Sequence, residues 1–326
     1  MLTLSVEEQV FPLAEVFTIS RGSRSEARVV VATLSDGTHI GRGECVPYAH
    51  YGESVDSVIA QIESLGDDLA QGLDREGLQS RLPAGAARNA LDCAFWDLEA
   101  KVAGKPVWEL AGLPAPRPEI SAFTLSLDSP EVMREKARRH AARPLLKLKL
   151  GGEGDIERLR AVREGAPDAR IIVDANEGWD REAYARLAPV LLALGISMVE
   201  QPLPADADAP LAEIDRPLPV CADEACHDCR SLPSLVGRYD MINIKLDKTG
   251  GLTEALALRR EALARGFEIM VGCMVGSSLS MAPALLVAQG AAVVDLDGPL
   301  LLARDREHGM RFDAEGIHPA TSALWG

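Results

Sequence analysis

This sequence predicts an α/β fold: a modified parallel (β/α)8 barrel of the TIM type preceded by a mixed α+β unit. Two observations carry that expectation. From about residue 120 onward, short apolar runs return roughly every 22 to 27 residues, each followed by a polar, helix-compatible stretch. Before that point the pattern differs, because "RVVVATLSDGTHIGRGE" reads as a hairpin and two helical periodicities follow it.

In the hairpin, two β-runs meet at Asp36-Gly37, the Asx-Gly pair that suits a tight turn. A helix is expected to start after Ser54 and run toward Gly72. A second, "AARNALDCAFWDLEAKVAG", puts Ala90, Leu91, Ala94, Phe95 and Leu98 on one face and ends at Gly104 and Pro106. The three prolines of "GLPAPRPE" mark the best boundary. The runs beyond it are "ISAFTLSL", "LLKLKL", "RIIVDANE", "ISMVEQPLP", "LPVCADEA", "YDMINIKLD", "FEIMVGCM" and "AAVVDLDGP". That many strands in about 180 residues fit a barrel better than an open doubly wound sheet, and no G-x-G-x-x-G follows any of them. The expected division is 1–115, 116–304, and a segment 305–326 returning to the N-terminal unit.

Composition excludes several partners. The 326 residues carry a net charge of −15, which repels phosphate backbones and anionic membrane surfaces, so neither nucleic acid nor a membrane is expected. "MLTLSVEEQVFPL" lacks the basic start and apolar stretch of a secretory signal, and no apolar run has membrane-spanning length. A cytoplasmic location follows as an expectation. The six cysteines, at 45, 93, 221, 226, 229 and 273, read as free thiols. "CHDC" at 226–229 has no second pair to complete a zinc site and is expected on the solvent side.

The strand ends carry the chemistry. Consecutive runs end in "VDAN", "VEQP" and "ADEA", supplying Asp174, Glu200 and Asp223. One strand-end Asp commonly caps the next helix. Three in succession converge at one barrel mouth, where their mutual repulsion calls for a divalent cation, and hard oxygen ligands suit Mg²⁺. Lysines flank this arc. In "KLKL" a half-exposed strand would leave them in water, but helices cover the outside of a barrel strand, so Lys147 and Lys149 point inward if Leu148 points out. Lys245 ends the sixth run. A lysine partly desolvated near other cations has a lowered pKa and can act as a base. Two such bases across a cation suit removal of a proton from a carbon beside a carboxylate and its return to the opposite face.

Taken in order, "ARNALDCAFWDLEAKVAGKPVWEL", "KLKL", "DANEGW", "EQPLP", "ADEA" and "IKLDKTGGL" resemble the enolase superfamily over nearly the whole chain. The lysines on the second and sixth strands, with no His in "VGCMVGSS", resemble its muconate-lactonizing subgroup. The resemblance implies that the N-terminal unit is a capping domain and that Lys149 and Lys245 are the acid/base pair. It implies further that Asp174, Glu200 and Asp223 bind one Mg²⁺ per subunit, and that Lys147 neutralises the substrate carboxylate. Homo-oligomerisation is common in such barrels.

Within the subgroup, the D-x-D of "VVDLDGP" resembles the dipeptide epimerases, in which Asp295 and Asp297 would receive an α-ammonium. "SRGSRSE" at 20–26 resembles the mobile capping loop, with Arg24 reading an acidic side chain; apart from the resemblance it is equally a solvated loop arginine. The implied substrate is an L-Ala-D/L-Glu dipeptide, from the breakdown of peptidoglycan peptides. Thr124 is read either as a peptide hydrogen-bond partner or as a barrel-layer threonine. Asn176 supports a ligand or caps a helix, Ser277 and Ser278 offer hydroxyls or form a turn, and Lys248 is expected in the loop beyond Lys245. N-acylamino acid racemase and o-succinylbenzoate synthase are the alternatives with the same base pair. A non-catalytic Mg²⁺-containing ligand-binding barrel is the alternative of another class.

Overall fold

The computed structural model describes residues 2–326. Strands β1 (Thr3–Ile19), β2 (Gly22–Ser35) and β3 (Ile40–Cys45) form an antiparallel sheet. Asp36 closes the expected hairpin by accepting the N–H groups of Thr38 and His39 at 2.8 and 2.7 Å. The sequence pattern does not announce β1. All of it but Phe17 is exposed or half-exposed, and its pairing shifts register between Pro12 and Phe17, where Pro12 has no N–H to donate.

Helices α1 (Val55–Glu63), α2 (Gly66–Ala70), α3 (Arg75–Arg81), α4 (Ala86–Ala103) and α5 (Val107–Leu110) follow. The single helix expected from Ser54 toward Gly72 is therefore two. Its start holds, because Ser54 and Ser57 form a reciprocal capping box, but the chain breaks at Ser64–Leu65 ahead of Gly66, a poor helix former. α4 is buried almost all round between the sheet and the barrel. Gly43 makes the sheet contact possible, since a Cβ there would lie 2.1 Å from the Ala90 carbonyl oxygen.

The eight apolar runs form parallel strands β4 (Phe123–Leu125), β5 (Leu145–Lys149), β6 (Arg170–Asp174), β7 (Ile196–Glu200), β8 (Val220–Ala222), β9 (Met241–Ile244), β10 (Glu268–Gly272) and β11 (Val293–Asp295), in sequential order. The ring closes where the Ala122 N–H donates to the Val294 carbonyl at 2.8 Å. Outside lie α6 (Pro130–Arg139), α7 (Asp155–Gly165), α8 (Arg181–Ala193), α9 (Leu232–Leu235), α10 (Leu246–Thr249), α11 (Leu252–Ala264), α12 (Ser278–Ala288) and α13 (Gly298–Leu301). A helix was expected after every strand. After β7 there is only a 3₁₀ turn, Ala209–Ala212, because Pro202, Pro204, Pro210, Pro217 and Pro219 crowd that connection.

The barrel interior is plugged by one apolar residue from each strand region: Ala122, Leu145, Ile172, Met198, Cys221, Met241, Met270 and Val293. A small hairpin, β12 (Phe312–Asp313) and β13 (Gly316–Ile317), precedes the last residues. These dock on α4 and β3: the Trp325 indole donates to the Cys93 carbonyl at 3.0 Å, the Gly326 N–H to Asp97 at 2.7 Å, and Arg42 to the Leu324 carbonyl at 3.0 Å. All six cysteines are free, but Cys226 is fully buried, so "CHDC" is not the solvent-side segment expected. Among the described residues no helix is long and apolar enough to cross a membrane.

Candidate active site

Strand alternation builds the site. Two residues beyond the apolar plug, each inward position becomes polar or small: Thr124, Lys147, Asp174, Glu200, Asp223, Asn243, Gly272 and Asp295. One further step gives Lys149, Asn176, Lys245 and Asp297. All twelve are buried, and the lack of a side chain at Gly272 makes room for Asn243: a Cβ would sit 2.7 Å from its Oδ1. With that room, the Asn243 amide donates to Glu200 Oε1 at 2.6 Å.

The three expected metal ligands come together. Asp174, Glu200 and Asp223 each present an oxygen within 4.8 Å of the others, and all are fully enclosed. Lys149 donates to Asp174 Oδ2 at 2.5 Å, and Lys245 to Asp223 Oδ2 at 2.7 Å. Burial would raise the carboxyl of Asp174, but Lys149 and Lys147 hold it at about 2. Glu200 is pushed up to about 7, by burial first and then by Asp174. Its Oε2 lies 2.6 Å from Lys147 yet has no hydrogen-bond partner. The trio thus gathers three buried carboxylates at one point and leaves the Glu200 Oε2 without a hydrogen-bond donor. A divalent cation relieves this, and the all-oxygen donor set fits Mg²⁺.

Two expectations about lysines are corrected. Lys245 is raised rather than lowered, because burial is outweighed by Asp223 and Glu200. Lys248 is not in a loop. It lies in α10, one turn past Lys245 and on the same side, fully buried, donating to the Asp223 carbonyl at 2.5 Å, Asp223 Oδ1 at 2.7 Å and the Asn243 carbonyl at 2.9 Å. Lys147 is ringed by Asp295 at 2.7 Å, Glu200 at 2.6 Å and Asp174 at 3.3 Å, which hold it well above the usual range despite burial.

Asp295 and Asp297 line the same cavity as the lysines. Asp295 gives one oxygen to Lys147, while its Oδ1 is buried without a partner. Asp297 accepts the Thr124 N–H at 2.6 Å and is pushed up to about 7 by burial and by Asp295. The cavity is about 50 Å³, closed by the β1–β2 tip with Tyr48 and Tyr51.

That tip is no free loop. Only Ser20 and Arg21 form the turn, and Arg24 lies within β2 opposite Phe17. Arg21, which the sequence reading left unassigned, reaches across to the Asn176 carbonyl at 3.0 Å, Glu177 at 3.1 Å, the Tyr48 hydroxyl at 2.9 Å and Glu224 at 2.7 Å. Arg24 has no ion pair among the described residues. Its guanidinium lies 5.6 Å from the Phe17 ring centre, faces the cavity, and is lowered by burial.

Asn176, at φ 44°, donates its N–H to Asp174 Oδ1 at 2.9 Å and so supports a ligand. Ser277 and Ser278 serve the frame: Ser277 caps α12 and joins Glu44 and Arg306, and Ser278 bonds Asp305 at 2.5 Å. Asn243 was missed, although alternation from Lys245 places it inward.

A capped barrel with an acidic trio and lysines on its second and sixth strands defines the class of enolase-like enzymes that handle carbon-bound protons. Residues 132–306 match the enolase C-terminal domain-like family, and residues 1–112 the N-terminal domain of the mandelate racemase / muconate lactonizing enzymes. The chain belongs to this family. It is 49% identical to the L-Ala-D/L-Glu epimerase of Escherichia coli (strain K12), over 98% of this chain and all of that one. It is 46% identical to an N-acetyl-D-glutamate racemase of Pseudoalteromonas sp, over 91% and 95%. A solved enolase family member from Agrobacterium tumefaciens, described as homologous to dipeptide epimerases and holding sodium and L-Ala-L-Glu, superposes with TM-score 0.98 at 52% identity over the full length of both chains. Other structural neighbours are dipeptide epimerases complexed with Mg.

Proposed function

We infer that this chain is an isomerase: a Mg²⁺-dependent dipeptide epimerase of the L-Ala-D/L-Glu type. One observation carries the reading beyond its family. The Asp295–Asp297 pair is buried beside two lysines and still short of a cation donor, which suits the α-ammonium of a free dipeptide.

Asp174, Glu200 and Asp223 would hold the ion, which when bound supplies positive charge to the substrate carboxylate beside the reacting carbon. With Asp223 and Glu200 so occupied, Lys245 loses the partners that raise its pKa and becomes available as an acid or base. Lys149 and Lys245 lie on opposite sides of the trio. One, neutral, takes the α-proton of the C-terminal residue; the other, charged, returns a proton to the opposite face, and the two exchange protonation states. Lys147 offsets the negative charge gathered at the carboxylate end. Thr124 borders the peptide, and the unpaired Arg24 faces the side chain of a C-terminal Glu. Peptides released from peptidoglycan are the fitting source. The division into a cap (1–115), a barrel (116–304) and a returning segment (305–326) is proposed on the docking of the last residues against α4.

A second reading, racemisation of N-acylated glutamate, is favoured by the Pseudoalteromonas relative and opposed by the acid pair, since an acyl group brings no cation. The test is proton NMR in D₂O with Mg²⁺. L-Ala-L-Glu should lose its Glu Hα signal and keep its Ala Hα signal; faster exchange of N-acetyl-Glu would reverse the assignment.

A further inference from the structure

The 50 Å³ cavity at the acid pair has a larger neighbour. A second cavity of about 300 Å³ lies behind it, against Val16, Phe123, Leu125 and Leu300, with Lys136 and His140 at its rim. Phe17, Thr124 and Leu301 line both cavities and so form the wall between them.

Leu301 lines the cavity beside Asp297, on the side where the first side chain of a dipeptide held there would lie. Asp297 is the residue preceding the single turn α13, and Leu301 follows it by four positions, on the same face. An ammonium held by Asp297 is attached to the carbon that bears the side chain, so the first side-chain carbon lies only about 2.5 Å from that nitrogen. Thr124 is committed to Asp297 through its N–H, and Phe17 lies beneath Arg24. Leu301 is half-buried and packs against the apolar cluster of Phe17, Ala27, Val275 and Leu302.

We propose that Leu301 sets the specificity for the first residue: it confines that residue to an alanine-sized side chain, and behind it the structure holds an unused subsite for large apolar side chains such as Leu, Met or Phe. Lys136 and Arg139, which also line this cavity, both pair with Glu15, at 3.3 and 3.5 Å, so its cations are already matched and an apolar side chain packs against Val16, Phe123, Leu125 and Leu300. The inference rests on the dipeptide reading above.

Wild type, Leu301→Ala, Leu301→Val and Leu302→Ala are compared by deuterium entry at the Glu α-carbon of L-Ala-L-Glu, L-Leu-L-Glu and L-Phe-L-Glu. Since a single misfitting methylene in a pocket is worth about 10- to 200-fold, Leu301→Ala should raise kcat/KM for L-Leu-L-Glu relative to L-Ala-L-Glu by about tenfold or more, and Leu301→Val by less. Leu302, which belongs to the same apolar cluster but lines neither cavity, serves as the control, and its variant should keep the wild-type ratio. A ratio unchanged in both Leu301 variants, or shifted equally by Leu302→Ala, overturns the inference and leaves the dipeptide reading intact. No Glu α-exchange by wild type with any of the three dipeptides overturns that reading itself. Thermal unfolding of each variant separates misfolding from altered selectivity, and the milder Leu301→Val keeps the test usable if Leu301→Ala does not fold.

Discussion

The barrel mouth holds two acidic groups that differ in how their charge is met. In the arc of Asp174, Glu200 and Asp223, each carboxylate has a lysine, that of Glu200 reaching from two strands away, and Asp223 has two. In the pair on the far side, Asp295 shares Lys147 with the arc and keeps one oxygen unpaired, while Asp297 has a single backbone N–H. Buried charge is tolerated only when paired, so an unpaired remainder marks where a ligand's charge belongs. On the proposed reading, the arc is arranged around a resident ion and the pair around a visiting one.

The largest effect that would test this contrast lies with the proton carriers. Lys149→Met and Lys245→Met should each lower kcat by about 10²- to 10⁴-fold, read as deuterium exchange at the Glu α-carbon. An exchange rate within a few-fold of wild type in either variant would remove that lysine from the proposed pair.

Next comes the contrast itself. Asp297→Asn should reduce kcat/KM for L-Ala-L-Glu by about 30-fold or more, the cost of leaving a buried charge without its partner. Its Mg²⁺ affinity by calorimetry should stay close to wild type, whereas Asp223→Asn should lose most of that affinity. Equal loss of Mg²⁺ binding in both variants would merge the two groups into one.

Arg24→Met sharpens the assignment at the other end of the substrate. Because Arg24 has no carboxylate of its own, the variant should raise KM for L-Ala-L-Glu about tenfold or more, while L-Ala-L-Leu is scarcely affected. Parallel losses with both dipeptides would make Arg24 a general support of the β1–β2 tip.

The smallest expected effect lies in the seam between cap and barrel. Asp247, just after β9, accepts from the Val46 N–H at 2.9 Å and the Asn89 amide at 2.8 Å, and burial pushes its carboxyl up to about 7. A folded-state pKa above the unfolded value means that the folded protein binds the proton more tightly. This group's contribution is therefore greatest below about pH 4 and is lost as pH rises toward 7. Asp247→Asn keeps an acceptor without the charge, and should gain about 2 kcal/mol over wild type at pH 8 relative to pH 5 in urea unfolding. An identical pH slope in the two proteins would show that Asp247 is not the buried titrating group.

How much of this was legible depends on the range of the interaction. The apolar runs fixed all eight barrel strands, and period-two alternation within a run places Lys147, Asp174, Glu200 and Asp295 inward. β1 escaped because Pro12 and a half-exposed face blur its alternation. The missing helix after β7 was written in its prolines, yet a composition compatible with helix masked it.

By itself, then, the sequence determined the architecture, the order of the strand-end groups, and the types of side chain facing the mouth, because each follows from local periodicity. Only the tertiary structure decided the partners. That Lys147 joins Asp295 across 148 positions, that Arg21 ties the cap to Glu224, that Lys248 turns back onto Asp223, and that Leu301 walls off a second cavity all depend on distances between segments remote in the chain. Pairing of buried charges is settled when the barrel closes and the cap docks on it, and no spacing within one strand encodes which lysine a carboxylate will meet.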